Sequence, residues 1–239
     1  MESAPDLTAP IVGANLPYTG GHHGTSSRRA EAVVLQVDST VSTVDGLAWL
    51  TSRRDSETGL RLAAMRREAT EQRWGWADLT RARLKLLRPR RAEINELGNA
   101  HLTALDPGVV GAVADLRRAG IAVSLASDVA AEALFGVATA LGVSPNELYA
   151  PRLRFDALGA YVSCDLNAAR AEDEVDVTGV RPGTSTLRTL FVGTQRSAVF
   201  APRVSDDFAA FARPGSSAGA TGAVATITSF SDLAALVLR

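Results

Sequence analysis

At 239 residues, 46% of them hydrophobic, the chain is long enough to bury a substantial core, which excludes a small scaffold dependent on disulfides or metal. A formal net charge of −1, a pI near 6.3 and the lack of any long run of like charge argue against nucleic acid or a membrane surface as partners. The single cysteine, Cys164, rules out an internal disulfide framework and a Cys-rich zinc site. With no membrane-length apolar stretch and no signal-peptide pattern, a cytoplasmic location is expected.

Residues 1–30 are rich in Gly, Pro, Ser and Thr without a sustained period, which predicts an irregular N-terminal extension. Val33, Val34, Leu35 and Val37 form an apolar run closed by Asp38, Ser39 and Thr40, the pattern of a buried strand over 33–38 ending in a polar turn. From about 45 to 100, Leu, Ala, Met and Trp recur at three- and four-residue spacings among Arg and Glu, predicting amphipathic helices, two of them separated by "RPRR" at 88–91. His101 is read as a loop residue before the sheet resumes.

Asp106-Pro107-Gly108 then makes a turn, followed by a helix closing at Gly120, a strand over 121–125 and a helix to Gly142. This βα alternation is the signature of a parallel sheet with crossover helices. "LYAPRLRFDALGAYVSC" reads as a strand and a hairpin turning near 157–159, "TLRTLFVG" and "DDFAAFA" as further strands, and "SFSDLAALVL" as a closing helix capped by Ser229 or Ser231. The expected fold class is α/β. Residues 31–44 and 101–239 form its core, and the helical block 45–100 is a cap over the sheet edge.

Taken in order, "VDSTV", "DPGVVGAVADLRRAGIAVSLAS", "LYAPRLRFDALGAYV" and "ITSFSDLAALV" resemble phosphoserine phosphatases of the haloacid dehalogenase superfamily, over roughly residues 32–238. The resemblance implies a Rossmann-like parallel sheet with flanking helices and a small helical cap inserted after the first core strand. It also implies four motifs. The first is Asp-x-Asp-x-Thr, whose first aspartate attacks phosphorus and whose second protonates the leaving group. Asp38 and Thr40 match, but the nucleophile's position holds Gln36, whose amide cannot form an acyl phosphate.

The second motif is a phosphate-binding Ser or Thr, matched by Ser127, although Asp128 follows where the family has glycine. The third is a lysine that neutralises the phosphoryl group. The sole lysine of the chain is Lys85, and the corresponding stretch "NAARAEDEVDVTGVRPG" is acidic unless Arg170 or Arg181 substitutes. The fourth, Gly-Asp-Gly-x-x-Asp, holds Mg²⁺, and here reads "VGTQRSAV", with Thr194 and Ala198 at the aspartate positions. By the same resemblance Asp45 stands where an acid holds the substrate ammonium. Arg83, with Arg81 as a competitor, stands where a cap arginine holds its carboxylate.

Each matched residue also has a plain structural reading. Asp38 is equally a turn-capping carboxylate, Ser127 an N-cap for a helix starting near Asp128, and Arg83 part of a solvated basic face with Arg81, Arg88 and Arg90. Loss of nucleophile, lysine and both metal carboxylates leads us to expect no phosphatase activity and no cofactor. The expected function is a repurposed, metal-independent enzyme acting on a small amino-acid-like or carboxylated molecule held between cap and core. Asp38 would be its general acid/base, with Gln36, Thr40, Asp45, Arg83 and Ser127 lining the site. The alternatives are a non-catalytic pseudophosphatase that senses a ligand or binds a protein partner, and a weak residual phosphatase.

Overall fold

A computed structural model describes residues 30–71, 74, 76–166, 187–194, 197, 205–213 and 222–238. Its centre is a six-stranded, all-parallel sheet in the order β3-β2-β1-β6-β7-β8. The strands are β1 (Ala32–Gln36), β2 (Ala122–Ala126), β3 (Leu148–Tyr149), β6 (Thr189–Gly193), β7 (Asp207–Phe211) and β8 (Ala225–Ile227). Val33, Val34 and Leu35 are all fully buried, as a central parallel strand covered on both faces requires. This is why the strand reads as a continuous apolar run and not as an alternation.

The α/β fold class and its parallel sheet agree with the sequence reading, with small shifts at element ends. β1 stops at Gln36, two residues short of the predicted end, and β2 runs one residue later than expected. Val37 and Asp38 belong to the turn that follows. Their apolar and acidic character continued the strand pattern, but Gln36, opposite Ala126, is the last residue in register with β2.

Alternation along the strands divides the core. Val33, Leu35, Val123, Leu125, Leu190 and Val192 pack on one side against α5 (Val109–Arg118), α6 (Phe135–Leu141) and α7 (Phe230–Leu238). Val34, Tyr149, Phe191 and Phe208 pack on the other, with the Phe191 and Phe208 rings 6.2 Å apart. Helix α6 ends on Gly142 at φ 65°, the left-handed position that closes a helix at least cost when it has no Cβ. At α7, Ser229 Oγ accepts from the Asp232 amide while Asp232 Oδ2 accepts from the Ser229 amide, so of the two expected serines Ser229 is the cap.

Between β1 and α5 lie four helices, α1 (Gly46–Thr51), α2 (Ser56–Glu71), α3 (Trp76–Leu87) and α4 (Arg91–Thr103). Their apolar faces meet in a second cluster of Leu50, Leu62, Leu84, Leu87, Ile94 and Leu97. The same cluster takes in Val129, Ala130 and Ala133, which follow β2, and Leu153 and Tyr161 from the antiparallel hairpin β4 (Arg152–Phe155) and β5 (Tyr161–Asp165). Arg54 ties the helices by a bidentate pair to Glu93 (2.6 and 2.7 Å) and a bond to the Leu87 carbonyl (2.8 Å). No helix among the described residues is long and apolar enough to cross a membrane.

Candidate functional site

Strand order reverses at β1, with β2 and β3 on one side and β6, β7 and β8 on the other. In open parallel sheets such a switch point opens a crevice at the strands' carboxyl ends, where ligands bind. The residues at those ends are Gln36 to Thr40 after β1, Ser127 and Asp128 after β2, and Thr194 after β6. Here the structure places most of the residues expected to matter, and it separates them into two groups.

The first group surrounds Gln36. Its Oε1 accepts from the Thr194 amide at 3.1 Å and lies 2.7 Å from Ser197 Oγ, which is also 2.6 Å from the Thr194 carbonyl. Gly193 makes this closeness possible, since a Cβ there would fall 2.7 Å from Gln36 Oε1 and 2.5 Å from Ser197 Oγ. The amide thus cross-links the ends of β1 and β6. Magnesium requires several hard, charged oxygens in an octahedron. Gln36 Oε1 is already engaged, residue 194 is a threonine, and among the described residues no three His, Cys, Asp or Glu side chains gather as a metal site. This donor set does not fit Mg²⁺. Ala198, Arg170 and Arg181 lie outside the described residues, as does the extension up to residue 29.

The second group surrounds Asp38. The chain turns sharply after β1, with Ser39 in the left-handed region at φ 59°. Arg213 holds the turn by donating to the Ser39 carbonyl (3.3 Å), the Thr40 carbonyl (2.6 Å) and Asp106 Oδ2 (3.2 Å). Only 5% exposed, Asp38 accepts the Gly46 amide at 2.9 Å through Oδ1, while Oδ2 has no well-formed hydrogen bond. Burial first, then the charge of Asp128 and that of Asp45, push its carboxyl up to about 7; the Ser127 hydroxyl and the Gly46 amide oppose this.

Asp45 is the N-cap of α1, its Oδ1 accepting the Ala48 amide at 2.9 Å. Ser127 Oγ accepts the Val129 amide at 3.2 Å, and helical geometry begins only at Ala131. Ser127 therefore closes a short turn, which corrects the expectation of an N-cap for a helix at Asp128. Arg83 reaches from α3 to Asp128 with Nη1 3.5 Å from Oδ2, whereas Arg81 pairs with the exposed Asp78 at 3.1 Å. Of the two candidate arginines, Arg83 faces the sheet edge. Thr40 is fully buried and its Oγ1 is unpartnered.

One residue of this group escaped the sequence reading. His101 is not in a loop: it sits in the last turn of α4, 1% exposed, with Nε2 3.7 Å from Asp38 Oδ1. Burial pushes its imidazole down to about 4 against a smaller upward pull from Asp45. Its signal was its spacing. With Ile94 and Leu97 it continues a three-then-four stripe on the buried face of α4, so the helix period extends through residue 101.

No protein-family model matches the chain. It is 28% identical over 140 residues to a phosphoserine phosphatase of Drosophila melanogaster, a match covering 59% of this chain and 51% of that protein. The chain thus matches only about half the length of this relative. Among solved structures, it is similar to a phosphoserine phosphohydrolase-like protein from Francisella tularensis (TM-score 0.62, 14% identity, 87% of this chain and 99% of that one). It is likewise similar to phosphoserine phosphatase from T. onnurineus in complex with NDSB-201 (TM-score 0.62, 15% identity, 90% and 98%). The chain has the fold of the phosphoserine phosphatase-like proteins of the haloacid dehalogenase superfamily, as its motifs implied.

Proposed function

We propose that this chain is a phosphoserine phosphatase-like protein that has given up phosphoryl transfer and binds a small amino-acid-like or carboxylated molecule at the carboxyl edge of its sheet. Asp38 acts there as a metal-independent general acid/base. The observation that carries the reading is the contrast between Gln36 and Asp38. Gln36 is consumed in a cross-link to Thr194 and Ser197, while Asp38 is buried with one oxygen lacking a well-formed hydrogen bond and a carboxyl pushed to about 7. An acid poised near neutrality transfers protons most effectively at that pH.

Around it Asp45 and Asp128 supply negative charge suited to an ammonium, and Arg83 a planar cation suited to a carboxylate. A carboxylated ligand would have to share Arg83 with Asp128. The sequence lacks the metal carboxylates and the motif lysine that would hold a phosphate dianion, and Arg83 at this edge is already paired with Asp128. A protein-binding role is the second reading, favoured by the way the Gln36 amide turns a catalytic position into a structural one.

A thermal-shift screen of amino acids, simple amines, carboxylates and phosphoserine, with and without Mg²⁺, tests this directly. A ligand at about a hundred times its Kd stabilises the native state by about 2.7 kcal/mol. We expect an amino-acid-like or carboxylated compound to raise Tm equally with and without Mg²⁺. Stabilisation by phosphoserine that depends on Mg²⁺, or phosphate release abolished by Asp38→Ala, would restore the phosphatase reading. Silence across the screen would favour the protein-binding one.

A further inference from the structure

We infer that His101 is the proton partner of Asp38, the two forming a buried carboxyl–imidazole dyad in which His101 positions Asp38 and relays its proton; this rests on the reading of Asp38 as the acid/base of the site. Nε2 of His101 lies 3.7 Å from Asp38 Oδ1, a small side-chain rotation away from a hydrogen bond. Both side chains are more than nine-tenths buried, at 1% and 7% exposure, Asp38 Oδ2 has no well-formed hydrogen bond, and both imidazole nitrogens are unpartnered. Leaving a buried polar group unpaired costs about 1–3 kcal/mol. Packing alone therefore does not account for a histidine on this face of α4, where Ile94 and Leu97 fill the neighbouring turns.

Gly46 holds the space open. A Cβ at 46 would fall 2.6 Å from Asp38 Oδ1, 3.1 Å from Val129 Cγ2 and 3.4 Å from His101 Nε2. With only hydrogen there, α1 can bring its first amide to Oδ1 while α4 brings the imidazole to the same oxygen. The charged and titratable groups facing the dyad are Asp45 at the start of α1 and Asp128 beside Ser127 after β2, with Arg83 of α3 on Asp128. Among the described residues, Asp38 belongs to no group of three His, Cys, Asp or Glu side chains that could hold a metal.

With the carboxyl protonated, its O–H donates to Nε2 and the ring proton sits on Nδ1. When the dyad gives up one proton, the carboxyl O–H breaks and an Nε2–H bond forms. The Nδ1 proton then passes to a base in solvent, and the carboxylate is left accepting from Nε2–H. His101 does not touch the ligand; it acts through Asp38 and is a positioning residue.

The ring nitrogens can be watched directly. The chain has three histidines, so a His22→Gln/His23→Gln variant leaves His101 as the sole imidazole in a ¹⁵N NMR titration of the full chain. We expect the ring to change from the Nδ1–H to the Nε2–H tautomer as pH rises through about 7, and Asp38→Asn to abolish the change. A ring that keeps one tautomer across that range in the protein retaining Asp38, or that switches identically without Asp38, overturns the dyad. The titration needs no ligand. A protein that responds to ligands while His101 ignores Asp38 therefore sinks the dyad alone, and an intact dyad in a protein without ligand response sinks the catalytic reading alone.

Discussion

The two buried groups at the sheet edge have opposite titration shifts, and their effects on stability offset over part of the pH range. Asp38 is raised from 3.8 to about 7, so the folded chain keeps a proton that the unfolded chain releases. Alone, this favours folding at low pH and is lost as pH rises from about 4 to 7. His101 is lowered from 6.5 to about 4, which alone favours folding above 6.5 and is lost as pH falls to 4. Between those values each state carries one proton on the pair, and the slopes cancel. In that window Asp38→Asn is therefore expected to lose Tm as pH falls and His101→Gln to gain it, each relative to the parent chain. Melting curves across the window check this, and three parallel profiles would contradict it. Gln36 belongs to the same scale: Gln36→Ala strands the Thr194 amide at a cost of about 1–3 kcal/mol, measurable by urea unfolding, and Gln36→Asp is expected to release no phosphate from phosphoserine. Motif spacing made Gln36, Asp38 and Ser127 legible in the sequence, because each is fixed relative to a strand end. His101 was not, since its role depends on a contact with a residue 63 positions away that only the fold creates.

The turn joining β1 to α1 is held by an element that no motif announces. Its backbone closes through Ser39 to Val44, Ser42 to Val37 and Asp106 to Val41, and Arg213, two residues beyond β7, caps the Ser39 and Thr40 carbonyls from the other side. A hydrogen bond to a charged group contributes about 1.5–3 kcal/mol, so Arg213→Ala should destabilise the chain by about that amount. It should also raise amide exchange at Ser42 and Asp106 more than in β2, which hydrogen-exchange mass spectrometry resolves. Uniform loss of protection would mean that Arg213 supports the whole sheet and not this turn. The strands and helices themselves were largely legible, because apolar runs and helical stripes reflect burial that the local chain already encodes. The end of β1 was misplaced because Val37 is as apolar as the strand. What ends the ladder is the kink at Asp38 and Ser39, a conformation held by Arg213 after β7 and packed against His101 of α4.

Helices and sheet share their contacts so closely that the molecule should unfold as one unit. The second apolar cluster joins Leu50, Leu84, Ile94 and Leu97 of the helices to Val129, Ala130 and Ala133, which follow β2 of the sheet. Two polar contacts span the same boundary, Arg83 to Asp128 and His101 to Asp38, so the candidate site is built from both parts and neither holds it alone. If the helical block were a separate domain, these groups would be uncovered whenever it opened, and Asp38 would lose the burial that sets its titration. The three tryptophans, Trp49, Trp74 and Trp76, all lie in the helical stretch, so fluorescence reports on that part while far-ultraviolet circular dichroism reports on the whole. We expect the two urea transitions to coincide in the unmodified chain. Leu97 is fully buried at the joint, and Leu97→Ala should lower stability by about 2–5 kcal/mol while shifting both transitions together. Separation of the fluorescence transition from the dichroism one, in either protein, would show that the helices fold independently and that the acid at the sheet edge is exposed each time they part.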